Sequence, residues 1–179
     1  KFAFTGSTGV GKIVAQAAAE KIIPATLELG GKSANIVFED AQLDRAAEEA
    51  TLAILYNQGQ VCTAGSRLFV QSSIYDKFIE MVKRNFENFK VGDPLDKATQ
   101  MGAQISEAQM NQILKYIEIA KEEGATIATG GERVAELSEG FFIKPTLITD
   151  VRSGMRVEQE EIFGPVLVVV KFETEEEVI

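Results

Sequence analysis

The stretch EEIFGPVLVVVKF, residues 160–172, decides the fold in its second half. After Pro165 come Val166, Leu167, Val168, Val169 and Val170, with no polar residue among them. A strand with one face in water alternates apolar and polar side chains, whereas a continuous β-branched run is buried on both faces. Pro165 suits the start of such a strand, because it has no N–H to give to a ladder. A strand of this kind needs parallel neighbours and helical crossovers, so the rest of the chain should supply both.

It does. Lys1–Thr5 reads as a strand, GSTGVG as a glycine-rich turn, and Lys12–Lys21 as an Ala-rich helix. IPATLELGG is a short strand closing on two glycines, and SANIVFED is a further apolar strand. Leu43, Ala47, Ala50, Ile54 and Leu55 have helical spacing, which predicts a helix over 43–56. A strand over 67–71 precedes a helix over 74–89, with Phe78, Ile79, Val82, Phe86 and Phe89 on one face. VGDPLDKATQMG is a polar loop turning at Gly92-Asp93-Pro94. Ser106 with Gln109 has capping-box spacing, opening a helix that runs to about Glu123 and stops at Gly124. ATIATGG and FFIKPTLI then read as strands. Strands alternating with helices predict an α/β fold, a largely parallel sheet with flanking helices. The best boundary lies near Gly30-Gly31, dividing the chain into 1–30 and 31–179.

Bulk properties narrow the function. The 179 residues are 45% hydrophobic and 25% charged, which suits a soluble chain with a real core. A net charge of −9 argues against a nucleic-acid partner, since phosphate neutralisation needs clustered Lys and Arg. No apolar run reaches the length of a membrane span. The single cysteine, Cys62, precludes an internal disulfide and makes a reducing, cytoplasmic setting the default. With no His anywhere, Ser-His-Asp and Cys-His catalysis are excluded within this chain, and the commonest zinc ligand is missing, so no metal site is expected. The sequence opens inside an apolar run without an initiator Met, as an internal piece of a longer protein would.

Four stretches carry candidate chemistry. In FTGSTGVGK, Gly6, Gly9 and Gly11 lie between strand and helix, where backbone N–H groups and a helix N-terminus can meet a phosphate. Gly6, Gly11 and Lys12 approach P-loop spacing, but Ile13 stands where that motif needs a hydroxyl for Mg²⁺. In LELGGKS, Glu28 ends an apolar strand, where partial desolvation would suit a general base; an edge carboxylate facing solvent is the plain alternative. In GQVCTAGSR, Cys62 lies at a helix-to-strand junction between Gly59 and Gly65, as an exposed nucleophile or as a small buried hydrophobe. In EEIFGPV, Glu161 and Phe163 stand two apart and share a face if the segment is extended, pairing a carboxylate for ribose hydroxyls with a ring for stacking. Phe163 as plain core is equally compatible.

Together and in this order, FTGSTGVGK, LELGGKS, NQGQVCTAGSR and EEIFGPV resemble the aldehyde dehydrogenase superfamily, over essentially the whole chain. Glu28 and Cys62, 34 residues apart, match that family's glutamate and cysteine in form and separation. The resemblance implies an NAD- or NADP-dependent oxidation of an aldehyde to a carboxylic acid. Cys62 would attack the aldehyde, hydride would leave the thiohemiacetal for the nicotinamide, and Glu28 would activate the water that hydrolyses the thioester. The backbone N–H of Cys62 would serve the oxyanion. Gly6 and Ser7 would lie near the cofactor pyrophosphate and its nicotinamide end, Leu29 would meet the nicotinamide amide through its backbone, Glu161 would hold the nicotinamide ribose, and Phe163 would pack beside the ring. The resemblance further implies that 1–30 is the C-terminal remnant of a dinucleotide-binding domain. It makes 31–179 a catalytic domain truncated at its C-terminal end, and the full-length protein a homo-oligomer.

Two departures bear on activity. Gly9 stands where the family usually has an acidic residue, which loosens the turn without abolishing binding. The family's oxyanion-hole asparagine and adenosine-ribose lysine would lie in an absent N-terminal part, so the 179 residues alone are expected neither to bind cofactor well nor to turn over. The rival readings are a P-loop nucleotide-binding protein, opposed by Ile13, and a non-catalytic structural relative, opposed by the presence of both Glu28 and Cys62.

Overall fold

The computed structural model describes all 179 residues, and they form two compact units, Lys1–Gly31 and Lys32–Ile179. In the first, β1 (Phe2–Thr5) and β2 (Ala25–Glu28) pair in parallel, with Phe2 opposite Ala25 and Thr5 opposite Glu28. The crossover between them is α1 (Thr8–Glu20). It begins four residues before the predicted Lys12. Ser7 is extended (φ −67°, ψ 149°) and its hydroxyl accepts from the Val10 N–H at 3.4 Å, so it caps the helix. The glycines that suggest a separate turn are instead inside the first turns. Gly11 is buried there because Leu29 leaves no room for a side chain: a Cβ would lie 2.5 Å from its Cδ2.

The second unit is a five-stranded sheet with helices on both faces. Its elements are β3 (Ala34–Val37), α2 (Leu43–Leu55), β4 (Arg67–Gln71), α3 (Tyr75–Asn88), α4 (Glu107–Glu122), β5 (Thr126–Thr129), β6 (Thr146–Thr149), α5 (Arg156–Gln159), β7 (Val166–Phe172) and α6 (Glu175–Val178). The strand order is β3-β4-β7-β6-β5; only the β5–β6 pair is antiparallel. The apolar run thus becomes the central strand, between β4 and β6. Its alternate residues serve two different cores. Leu167 and Val169 join Leu68, Val70, Phe78, Val82 and Phe86 under α2 and α3, while Val166 and Val168 join Ile113, Ile117 and Ile148 under α4. Each such side chain contributes about 1.5–3 kcal/mol by leaving water.

Several boundaries differ from the sequence reading. α2 stops at Leu55 rather than Tyr56, because Asn57 and Gln58 turn left-handed (φ 48° and 57°). β6 starts at Thr146 rather than Phe141. Pro145 breaks the donor pattern, the Thr146 hydroxyl donates to the Lys144 carbonyl at 2.8 Å, and upstream only Ile143 bridges, to Arg133. The single-turn helices α5 and α6 are too short for periodicity to reveal. The Ser106 hydroxyl does cap α4, accepting from the Gln109 N–H at 3.2 Å, and Gly124 closes it with φ 89°. No helix is long and apolar enough to cross a membrane.

Phe78 is fully buried on α3, whereas Leu95 is 90% exposed in the loop after it. Phe78→Ala is expected to lower stability by about 3–5 kcal/mol in urea unfolding. Leu95→Ala should stay within about 0.5 kcal/mol of wild type.

Candidate active site

In the second unit the Cys62 loop leaves α2 through a backbone that few sequences tolerate. Asn57, Gln58 and Gly59 are all left-handed, with φ of 48°, 57° and 71°. Gly59 is obligatory on two counts: its φ, and the Gly164 carbonyl oxygen, which a Cβ would approach to 2.0 Å. The cysteine loop therefore lies backbone against backbone on the turn that follows Glu161. Beyond it, the Ala64 N–H donates to the Val61 carbonyl at 3.1 Å, forming a tight turn around Cys62 and Thr63. The Gly65 N–H then donates to Ala53 O at 3.0 Å, and the chain enters β4. The Cys62 side chain is exposed. Within these 179 residues the thiol is not packed as a small buried hydrophobe.

The second component is the turn from Glu160 to Gly164. Phe163 is left-handed (φ 58°) and 38% exposed, between buried Ile162 and buried Gly164. The segment is not extended there, so the expectation that Glu161 and Phe163 share a face by alternation fails. The turn is held by a residue that the sequence suggests for another task. Gln109 has capping-box spacing, yet its amide does not cap: Nε2 donates to the carbonyls of Ile162 at 3.1 Å and Phe163 at 2.9 Å. Gly164 rests on Ile113 of the same helix, whose Cδ1 a Cβ would approach to 2.4 Å. Glu161 itself is half-buried. Its neighbour Glu160 takes a bidentate pair from Arg156 (2.8 and 2.9 Å) and the Tyr116 hydroxyl (2.7 Å). Arg156 foremost, then Tyr116, hold the Glu160 carboxyl down at about 2.

A charge network joins these stretches. Arg67, the first residue of β4, donates through Nε to the Lys32 carbonyl at 2.8 Å and through Nη1 to Glu158 at 3.1 Å. The Glu158 side chain is 7% exposed and also accepts from Gln159 and the Gly154 N–H. Burial pushes its carboxyl up, but the bonds from Gln159, Arg67 and Gly154 outweigh that and hold it below the ordinary range. Lys32 is the odd member, with a buried Nζ that has no hydrogen-bond partner. Burial first, then the Arg67 charge, push its ammonium down to about 8, against the pull of Glu158, Glu161 and Glu160. Lys32, Arg67 and Glu158 escape a reading aimed at nucleophiles and glycines. For Lys32 and Arg67 the one signal is charge placed in stretches otherwise built largely of glycine and apolar residues, and Glu158 lies in a charged run where nothing singles it out.

The remaining predicted residues are in the first unit. The parallel register sets Thr5 opposite Glu28, so Gly6, Ser7 and Leu29 all leave the strands at their carboxyl ends. The Gly6 N–H donates to the Glu28 carbonyl at 3.0 Å. Gly9, in the first turn of α1, has open space where a Cβ would stand. The Glu28 side chain is exposed rather than partly desolvated, since Leu27 is the one β2 residue that is even half-buried. Cys62, Glu161 and Phe163 are thus brought together in one unit, and Gly6, Ser7, Glu28 and Leu29 in the other.

Lys32 yields a pH signature. Between about 8 and the ordinary lysine value of 10.5, the unfolded chain holds a proton that the folded chain has released, so stability rises with pH across that window. Lys32→Met removes the buried ammonium. It is expected to add about 1–3 kcal/mol at pH 7 and to flatten the rise above pH 8, read from urea midpoints. An unchanged midpoint and slope would count against this account.

The sequence profile of the aldehyde dehydrogenase family matches residues 1–179. Among solved structures, an NAD⁺ complex of aldehyde dehydrogenase from Bacillus cereus is 49% identical, with a TM-score of 0.96 over 99% of this chain and 36% of its own. Betaine aldehyde dehydrogenase from Staphylococcus aureus, in complex with NAD⁺, is 45% identical, with a TM-score of 0.96 over 98% of this chain and 35% of its own. This chain thus spans little more than a third of the length of these proteins. Matched by the family's profile over its whole length and sharing the fold of these structures, it belongs to the aldehyde dehydrogenase family.

Proposed function

We propose that this chain is the nucleophile-bearing part of an enzyme that oxidises aldehydes to carboxylic acids with NAD or NADP. The observation that carries the reading is the exposed Cys62 on a turn whose backbone is locked, through Gly59, against the Glu161–Phe163 turn. Lys1–Gly31 is then the end of a dinucleotide-binding domain, and Lys32–Ile179 most of a catalytic domain. The relatives solved with NAD⁺ support the choice of cofactor.

The residues present fit such a cofactor. The first turn of α1 is free of bulk at Gly9 and offers backbone N–H groups to a pyrophosphate. Ser7 and Gly6 lie at that end, and the backbone of Leu29 leaves the adjacent strand. In the other unit Glu161 supplies a carboxylate for ribose hydroxyls, and Phe163 is 38% exposed. When bound, the nicotinamide supplies the hydride acceptor.

The chain's own part in the chemistry is a covalent relay. The Cys62 thiolate adds to the aldehyde carbonyl, making a C–S bond and an oxyanion that a backbone N–H such as that of Cys62 stabilises. Loss of hydride leaves a thioester. The exposed Glu28 carboxylate then takes a proton from water as the water attacks the acyl carbon, and Cys62 departs as thiolate. Water reaches an exposed base readily, and a carboxylate does not compete for the acyl group as an amine would.

Two substitutions in the natural polypeptide carrying this sequence separate the steps. Cys62→Ala should remove aldehyde-dependent NADH formation by at least about 1000-fold. Glu28→Gln should slow the steady state by about 100-fold while leaving a rapid initial burst of NADH, because acylation precedes the step Glu28 serves. Turnover unaffected by Cys62→Ala would sink the proposal. The 179-residue chain alone is expected to give no NADH with an aldehyde, and normal turnover by it would show that the residues here suffice.

A further inference from the structure

Gln60 stands two residues ahead of Cys62 and has no role in the steps above. The chain reaches it through three successive left-handed residues, Asn57 (ψ 41°), Gln58 (ψ 25°) and Gly59. Side chains in this region cost ~1–2 kcal/mol per residue, and such turns persist only where their surroundings hold them. Two hydrogen bonds close the turn on itself: Gln60 N–H to Asn57 O at 3.0 Å, and Asn57 Nδ2 to Gln60 O at 3.1 Å.

Two further bonds anchor it outside, both on the segment Met101–Ile105 ahead of α4. Gln60 Oε1 accepts from the Ile105 N–H at 3.0 Å. The Gln58 amide, in the orientation that satisfies both its ends, donates to Asn57 O at 2.9 Å and accepts from the Gly102 N–H at 3.3 Å. The anchor itself is firm. Met101 is 1% exposed, Gln104 is 3% exposed, and the Gln104 N–H donates to Phe141 O at 2.9 Å. Cys62, by contrast, is exposed, so its place is set by the backbone that leads to it rather than by a core around its side chain.

We infer that Gln60 is a positioning residue for the Cys62 thiol. Its amide oxygen, held by the Ile105 N–H, fixes the left-handed Asn57–Gly59 turn and so the backbone on which the nucleophile is mounted, with Gln58 as the second anchor. The inference rests on the reading of Cys62 as nucleophile. It assigns Gln60 to the carbon–sulfur bond-forming step and not to cofactor binding, because both anchors act on the loop that carries the thiol.

The acceptor oxygen makes the test specific. Gln60→Met keeps the length of the side chain and removes the acceptor, whereas Gln60→Glu keeps an acceptor. Both are assayed in the natural polypeptide at pH 9, where an ordinary thiol is mostly ionised and a charge at position 60 matters least. Q60M should lower kcat and the rate of Cys62 alkylation by iodoacetamide by roughly 10- to 100-fold, with KM for NAD within about twofold, while Q60E recovers most of both rates. A Q60M protein with wild-type kcat, or a Q60E protein as slow as Q60M, overturns the inference. If Q60M does not fold, Q60E decides alone: kcat within about threefold of wild type supports the role, and a deeper fall overturns it. Cys62→Ala runs alongside. Activity retained there defeats the nucleophile reading itself, whereas an inert C62A with a fully active Q60M defeats only the role of Gln60.

Discussion

At Gly59 the loop bearing the thiol touches the peptide between Gly164 and Pro165 so closely that a single methyl group would overlap a carbonyl oxygen. Much of the site depends on this backbone contact. It fixes the distance between two turns that are each strained on their own, Asn57–Gly59 on one side and Phe163 on the other. Neither side has slack, because Gly164 is pressed in turn against Ile113 of α4. A helix, a turn and a loop are thereby stacked through two glycines. This contact is steric, so ionic strength and pH do not loosen it.

Around that contact the polar interactions are arranged to hold backbone, not substrate. Gln109 donates to two carbonyls of the Phe163 turn, Gln60 accepts from Ile105, and Arg67 binds the Lys32 carbonyl. Each long side chain reaches across from a regular element or a neighbouring loop to satisfy a peptide group that no helix or strand could satisfy. Three of the left-handed residues, Asn57, Gln58 and Phe163, lie at or beside these bonds, whose surroundings hold the strain. The Arg67–Glu158 pair adds charge to the same pattern, and its worth is mainly conditional: removing Arg67 leaves the Glu158 carboxylate, 7% exposed, without its cation.

Legibility in the sequence followed the range of the interaction responsible. The central strand was legible because its double burial is written in consecutive residues, Val166 to Val170, and the α3 face because Phe78, Val82 and Phe86 repeat with the helix. The start of α1 was not, since Gly9 and Gly11 read as turn residues when the Ser7 cap and the packing of Leu29 keep them helical. Gln109 shows the limit well. Its spacing from Ser106 is local and visible, but the carbonyls it binds lie more than fifty residues away, so the local reading gave it the wrong partner. Phe163 failed for the same reason: alternation along a strand presumes extended backbone, and only tertiary contact can hold a phenylalanine left-handed. Three of the candidate stretches were visible by their paired or clustered glycines, and the fourth, EEIFGPV, by a carboxylate and a ring beside one glycine. The charged residues that brace them gain meaning only once the chain has folded.

The order of strands has a consequence for how the chain comes into being. β7 lies between β4 and β6, yet of the five strands in this sheet it comes last in sequence. Until residues 166–172 leave the ribosome, β4 and β6 have no partner between them, and the two cores that β7 divides are each missing a wall. Gly164, the seat for Gly59, arrives with the same segment. A nascent chain therefore carries its thiol on an unsupported loop until that segment emerges, and the sheet and the Gly59 contact close together in one long-range step.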